Sequence, residues 1–214
     1  GGRMTALVWD QPGDRRYETG IDHGVLYLPG GGAVPWNGLV SLVETRTREL
    51  KSFYIDGFKY IDYSVPGAYA AKLQAFTYPD EFDDLIGNRE LAPGLTIYDQ
   101  RATQFGLSYR TGIGNDLEGV NYGYNIHLVY NVTASESDPT FTTMGDSFSG
   151  VTFEWNLAAV PNLPSGFGPS SHFSADSRKL SPTHLANLEN YLYGTSGSAP
   201  ALPDLSTLNS LVTS

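Results

Sequence analysis

The sequence has no cysteine, which excludes structural disulfides and thiolate zinc sites. It has no apolar run near the ~18 residues that a membrane-crossing helix needs, so membrane insertion is not expected. The first ten residues, GGRMTALVWD, hold no apolar core of signal-peptide length. Met4 reads as the natural start, and synthesis in a cytoplasm without classical secretion is expected. Basic residues are scarce, with 13 Lys and Arg against 23 Asp and Glu and a net charge of -10. They gather only as Arg15-Arg16, as the spaced run Arg46, Arg48 and Lys51, and as Arg178-Lys179. Duplex binding needs clustered cations that displace counterions, so specific nucleic-acid reading is not expected. An acidic wall that keeps DNA from sticking is compatible with this charge.

What is abundant points to β-structure. The chain of 214 residues carries 24 Gly, 13 Pro, 14 Tyr, 10 Phe and 3 Trp, a composition of strands broken by turns. The length suits one large β domain or two small ones. A chain of this size removes roughly 70% of its unfolded surface from water and needs no covalent staple.

Apolar and alternating patterns predict strands at Ala6–Trp9, Gly24–Leu28, Trp36–Val43, Tyr69–Thr77, Thr103–Arg110, Tyr124–Val132 and Val151–Ala159, with a short last one at His172–Asp176. Between 69 and 77, Tyr69, Ala71, Leu73 and Ala75 fall on one face and Lys72 and Gln74 on the other. In KSFYIDGFKYIDYSV, Asp56-Gly57 separates two aromatic runs, a strong hairpin signal because both turn residues need positive φ. Residues 10–22, 43–52 and 133–149 read as loops, and TGIGNDLEG as the loop joining two strands. Ser181-Pro182 opens a helix with a Ser cap and Pro in the first position, Leu185, Leu188, Tyr191 and Leu192 form its stripe, and Gly194 ends it. GTSGSAPA reads as a flexible linker, and the tail as one more short helix. The order of strands, one short helix, more strands and terminal helices predicts a mainly β fold, a sandwich or barrel. Residues 1–195 form its domain, and 196–214 form a linker and a C-terminal docking arm.

The stretch FTYPDEFDDLIG places Asp80, Glu81, Asp83 and Asp84 within five residues. A glycosidase needs two carboxyls facing each other across ~5–10 Å. Acids on one short helix start instead complement its dipole, with Pro79 in the first position, Phe82, Leu85 and Ile86 as the buried stripe and Gly87 as the stop. A capped helix explains every residue. A hydrolase of cell-wall polymer would require a pair among Asp80, Glu81, Asp116 and Glu118 to face one cleft. GNDLEG (114–119) lacks the alternate acids of a calcium loop. His23, His127, His172 and His184 show no metal-helix spacing, and His127 reads as a packing residue inside a strand. Ser170, Ser171, His172 and Asp176 match no triad order. LPGGGAVPW lacks the Lys-Ser/Thr of a phosphate loop. No catalytic residue, cofactor-binding residue or metal ligand is predicted, and the chain is not expected to be an enzyme. Tyr54, Tyr60, Tyr63, Tyr69, Tyr122, Tyr124 and Trp36 are the aromatics that could stack on sugars, against the alternative of sheet packing.

Four segments carry a resemblance: WDQPGDRRYETGIDHGVLYLPGGGAVPWNGL (9–39), AFTYPDEF (75–82), FGLSYRTGIGNDLEGVNYGYNIHLVYN (105–131) and ADSRKL with LANLENYLYGT (175–195). Together they make the chain resemble the tail structural proteins, or minor tail proteins, of long-tailed phages of actinobacteria. The resemblance implies a β-sandwich related to the tail-tube fold and a non-enzymatic virion protein. It implies self-assembly into a ring, with six copies expected, that meets neighbouring tail proteins and passes DNA in transit. A carbohydrate-binding module facing the receptor at the tail tip is the alternative.

Overall fold

The computed structural model describes residues 7–46, 49–65, 67–137 and 152–213. In chain order the strands are β1 (Arg16–Tyr27), β2 (Ala33–Trp36), β3 (Leu39–Arg46), β4 (Glu49–Ile55), β5 (Phe58–Val65), β6 (Tyr69–Ala75), β7 (Arg89–Ala92), β8 (Leu95–Ile97), β9 (Phe105–Asn115), β10 (Gly119–Glu136), β11 (Phe153–Ala159) and β12 (His172–Asp176). Helix α1 (Glu81–Ile86) lies between β6 and β7, while α2 (Pro182–Tyr193) and α3 (Leu205–Thr213) close the chain. The fold is mainly β, as the composition and patterning predict.

One antiparallel sheet runs in the order β2-β1-β9-β10-β11-β6-β3. The long β10 gives one edge to β9 and shares the other: Val132–Glu136 pair with β11, and Asn125–Val129 pair with β12. Both faces of its β1–β9–β10 part are buried, whereas β11, β6 and β3 bury one face. On one face Leu26, Trp36, Leu73, Phe82, Leu107, Val129, Trp155 and Leu157 form the main core. On the other, Val25, Tyr27, Ile126, Leu128 and Tyr130 pack under α2 and α3. Alternation along β1 and β10 sends successive side chains to opposite cores, the period-two rule applied to a strand covered twice. At Asn131, with φ 52°, the β10 ladder shifts register, so that Val132 and Ala134 rejoin Val129 in the main core. An extra residue of this kind is a bulge, which resets strand parity.

Helix α1 sits over the end of the main core through Phe82 and Leu85. Phe82 meets Trp36 at 4.5 Å and Trp155 at 5.2 Å between ring centroids. Gly87 ends the helix at φ 99°, and a Cβ there would lie 2.2 Å from the Gln100 carbonyl oxygen. Pro79 lies outside the helix: Asp80 occupies the cap position without a side-chain cap bond, and Glu81, Asp83 and Asp84 fill the first turn. Ser181 caps α2 as predicted, its hydroxyl accepting from the His184 amide at 3.2 Å.

Several expectations need correction. Leu7–Trp9 form no strand and lie exposed, because an apolar run gains nothing without a neighbour to pair with. Arg16–Gly20, expected in a loop, belong to β1, and Arg16–Thr19 pair with Gly112–Asn115 of β9. Two register shifts, around Asp22, broke the alternation that would have marked this strand. Residues 43–46 and 49–52, also expected in a loop, lie in β3 and β4. The joining loop shrinks to Asp116–Glu118, since β9 runs on to Asn115 and β10 starts at Gly119. Of the expected loop 133–149, residues 133–136 extend β10 and 138–149 lie outside the described residues. The hairpin β7–β8, turning at Pro93-Gly94, was not foreseen.

Candidate assembly surface and a His–Glu cluster

Hairpin β4–β5 forms as the Asp56-Gly57 signal predicts, with φ 51° and 80° at the two turn residues. It pairs with no other strand among the described residues. Its aromatic and aliphatic side chains are exposed on both of its faces: Phe53, Tyr54, Ile55, Phe58 (79% exposed), Tyr60 (73%), Ile61 and Tyr63. A lone two-stranded ribbon is marginal in water, and a contiguous apolar patch on a soluble surface marks a contact site. A few polar bonds hold the ribbon: Ser52 donates to Asp62, and Lys59 pairs with Asp62 at 2.6 Å.

The other aromatics named as possible sugar platforms are placed differently. Trp36 is 2% exposed, packs among Phe82 and Trp155, and donates its Nε1–H to the Thr77 carbonyl at 3.0 Å. It cannot present a face to a glycan. Tyr122 lies under the guanidinium groups of Arg16 and Arg178. Tyr124 donates to Glu189 at 2.7 Å, and Arg110 covers its ring at 4.5 Å. Tyr69 packs against the main core. The hairpin tyrosines Tyr54, Tyr60 and Tyr63 remain.

The carboxylates weighed for hydrolysis do not converge. Asp80 and Glu81 start α1, where Asn88 bridges the neighbouring Asp83 at 3.2 Å to Glu136 at 3.1 Å, at the far end of β10. Asp116 and Glu118 sit in the turn before Gly119, at the opposite end of that 18-residue strand. At about 3.3 Å per residue, the strand separates the two groups far beyond a catalytic carboxyl spacing. Asp116 instead accepts from the Gly13 amide at 2.9 Å. Ser170 and His172 are joined through the His172 backbone rather than through the imidazole. Asp176 pairs with Arg178 at 2.6 Å. A groove of about 1030 Å³ between Pro29, Arg101 and Leu202 is lined by no carboxylate or imidazole.

The structure does bring together residues with no common spacing in the sequence. His127 on β10 and His172 on β12 share the face of the sheet that carries Val129, because His127 stands opposite Ser174 and His172 opposite Val129. His127 Nδ1 lies 3.0 Å from His172 Nε2. Glu44, on β3, reaches the same point: its Oε1 is 3.6 Å from His172 Nε2. β3 is not a sheet neighbour of β10 or β12, so the cluster spans the interior.

Neighbouring side chains hold this cluster in place. His127 Nε2 lies 2.9 Å from the Thr111 hydroxyl. Tyr109, directly opposite His127 in the ladder, stacks on its ring at 4.7 Å and donates its hydroxyl to Glu44 Oε1 at 2.5 Å. Burial, and next to it Tyr69 and Glu44, push the Tyr109 phenol far above its usual range, so it stays a donor. Tyr69 meets His172 edge-on at 5.4 Å. The only local signal was a histidine inside an apolar strand, and partners 83 and 45 residues away leave no motif.

No helix among the described residues is long and apolar enough to cross a membrane. No protein-family model matches the chain, and no curated protein matches it. Some solved structures are similar to it in part. One is a chain of the PVC sheath–tube complex of an extracellular contractile injection system in its extended state, with 15% identity, 72% of this chain and 88% of that chain covered, and a TM-score of 0.37. Another is a chain of the tube-terminating cap of the anti-feeding prophage, with 13% identity, 81% and 97% covered, and a TM-score of 0.40. A third is from the sheath/tube terminator of the PVC system, with 15% identity, 79% and 99% covered, and a TM-score of 0.36.

Proposed function

We propose that this chain is a non-enzymatic structural protein of a bacteriophage tail, resident in the virion. It self-assembles into a ring, six copies being the expected order, and DNA passes through the lumen without specific binding. The observation that carries this reading is hairpin β4–β5, whose apolar side chains are exposed on both faces. In a ring the next copy of the chain covers that ribbon and completes its burial. The sequence resemblance to phage tail proteins supports the same assignment. A net charge of -10 suits a surface that DNA must slide past.

The test is a cryo-electron microscopy reconstruction of the native tail. The expected result is a closed ring of this chain with β4–β5 buried against its neighbour. A chain found singly, or a ring whose hairpins point into solvent, overturns the reading.

The exposed Tyr54, Tyr60 and Tyr63 support a second reading, a carbohydrate-binding module at the tail tip. Sedimentation with a purified actinobacterial cell-wall fraction separates the two. Binding that disappears on Tyr54→Ala and Tyr60→Ala favours the second, and no binding disposes of it.

A further inference from the structure

We propose that Glu44, His127 and His172 form a binding site for one divalent transition-metal ion of the zinc type, which ties β3 to β10 and β12. One carboxylate oxygen and two imidazole nitrogens from these residues lie within 4.8 Å of one another. Two of the three separations, 3.0 Å and 3.6 Å, lie on either side of the edge of about 3.4 Å that a tetrahedron with ~2.05 Å bonds requires.

Three features favour a metal over a mere polar contact. First, two imidazole nitrogens and a carboxylate oxygen form a donor set of the kind a zinc-type ion takes, and the carboxylate supplies negative charge that a divalent ion matches. Second, the outer partners are those of a metal site. The Thr111 hydroxyl lies 2.9 Å from His127 Nε2, and as the acceptor of an Nε2 proton it would leave Nδ1 free to ligate. The Tyr109 hydroxyl fixes the Glu44 oxygen. Third, His172 and Glu44 keep 15% and 16% of their side chains in contact with solvent, so the cluster is not sealed from it. Three protein ligands leave a fourth position for water. In a chain with no cysteine, a nitrogen–oxygen site is the available way to crosslink three strands.

The experiment uses the whole purified chain, stripped with chelator and titrated with Zn²⁺ by calorimetry and by thermal unfolding. The expected result is one ion per chain and, at a hundredfold excess over Kd, a Tm rise of roughly 5–10 °C. His127→Ala, His172→Ala and Glu44→Gln each abolish the rise, while the double variant His23→Gln, His184→Gln keeps it. Should the alanine variants not fold, the wild-type chain decides by Co²⁺ substitution. Intense visible bands of a four-coordinate nitrogen–oxygen site support the proposal, and the weak spectrum of hydrated Co²⁺ overturns it. Substoichiometric binding, or binding lost only with His23 and His184, also overturns it.

Discussion

Trp36 shows how one side chain decides between two roles. Its indole fills the space between Phe82 and Trp155 and its N–H is spent on Thr77. Trp36→Ala is therefore expected to cost about 3–5 kcal/mol, read as a lower midpoint in chemical denaturation with an unchanged slope. A change under 1 kcal/mol would contradict the packing described. Asp176 gives a pH-dependent case. The Arg178 hydrogen bond, outweighing burial, holds its carboxyl below the ordinary value of 3.8. The unfolded state therefore takes up this proton first as pH falls, so the stabilisation is complete above pH ~4 and is lost as pH falls through the lower folded value. The stability deficit of Asp176→Asn relative to wild type should be constant at neutral pH and shrink below pH 4, as followed by thermal melts across pH 2.5–7. A gap that widens in acid would refute the pairing.

At the scale of elements, the terminal helices close the second core. Tyr130 passes its hydroxyl to the Pro203 carbonyl at 2.9 Å, and Tyr27 reaches the Leu192 carbonyl at 3.0 Å, both buried. Leu205, Leu208, Leu211 and Val212 of α3 pack against the same cluster as Leu188 and Leu192 of α2. Tyr130→Phe leaves a carbonyl unpaired and should cost about 1–3 kcal/mol, measurable by urea unfolding. Ser181→Ala removes the α2 cap and should cost about 1 kcal/mol, whereas Ser181→Asp should retain most of it. The α2 start was legible because cap, proline and apolar stripe lie within a dozen consecutive residues. The start of β1 was not. Its Arg16–Gly20 portion is held by hydrogen bonds to β9 rather than by a buried face, and such bonds leave no side-chain pattern.

For the whole molecule, stability and assembly should be separable at β4–β5. Phe58→Ser and Tyr60→Ser alter side chains that are largely solvated in the single chain. The isolated subunit should melt within about 0.5 kcal/mol of wild type, while ring formation, followed by sedimentation velocity at high concentration or by incorporation into tails, should fail. Equal loss of folding and assembly would mean that the hairpin packs on its own chain. The candidate metal cluster also belongs to this scale. Glu44, His127 and His172 come from three strands, and only the tertiary fold sets them side by side.

The sequence by itself determined the class of the fold, the β4–β5 turn, the face presented by β6, the α1 stripe with its glycine stop and the α2 cap. Each of these depends on neighbours within a few residues, through φ preferences, side-chain alternation or helix periodicity. Tertiary structure alone decided that Trp36 is core, that the carboxylates of α1 and of the β9–β10 turn stand apart, and that two histidines and a glutamate meet. Those outcomes depend on which strands become neighbours, a collective result of packing two cores, and no local pattern encodes it.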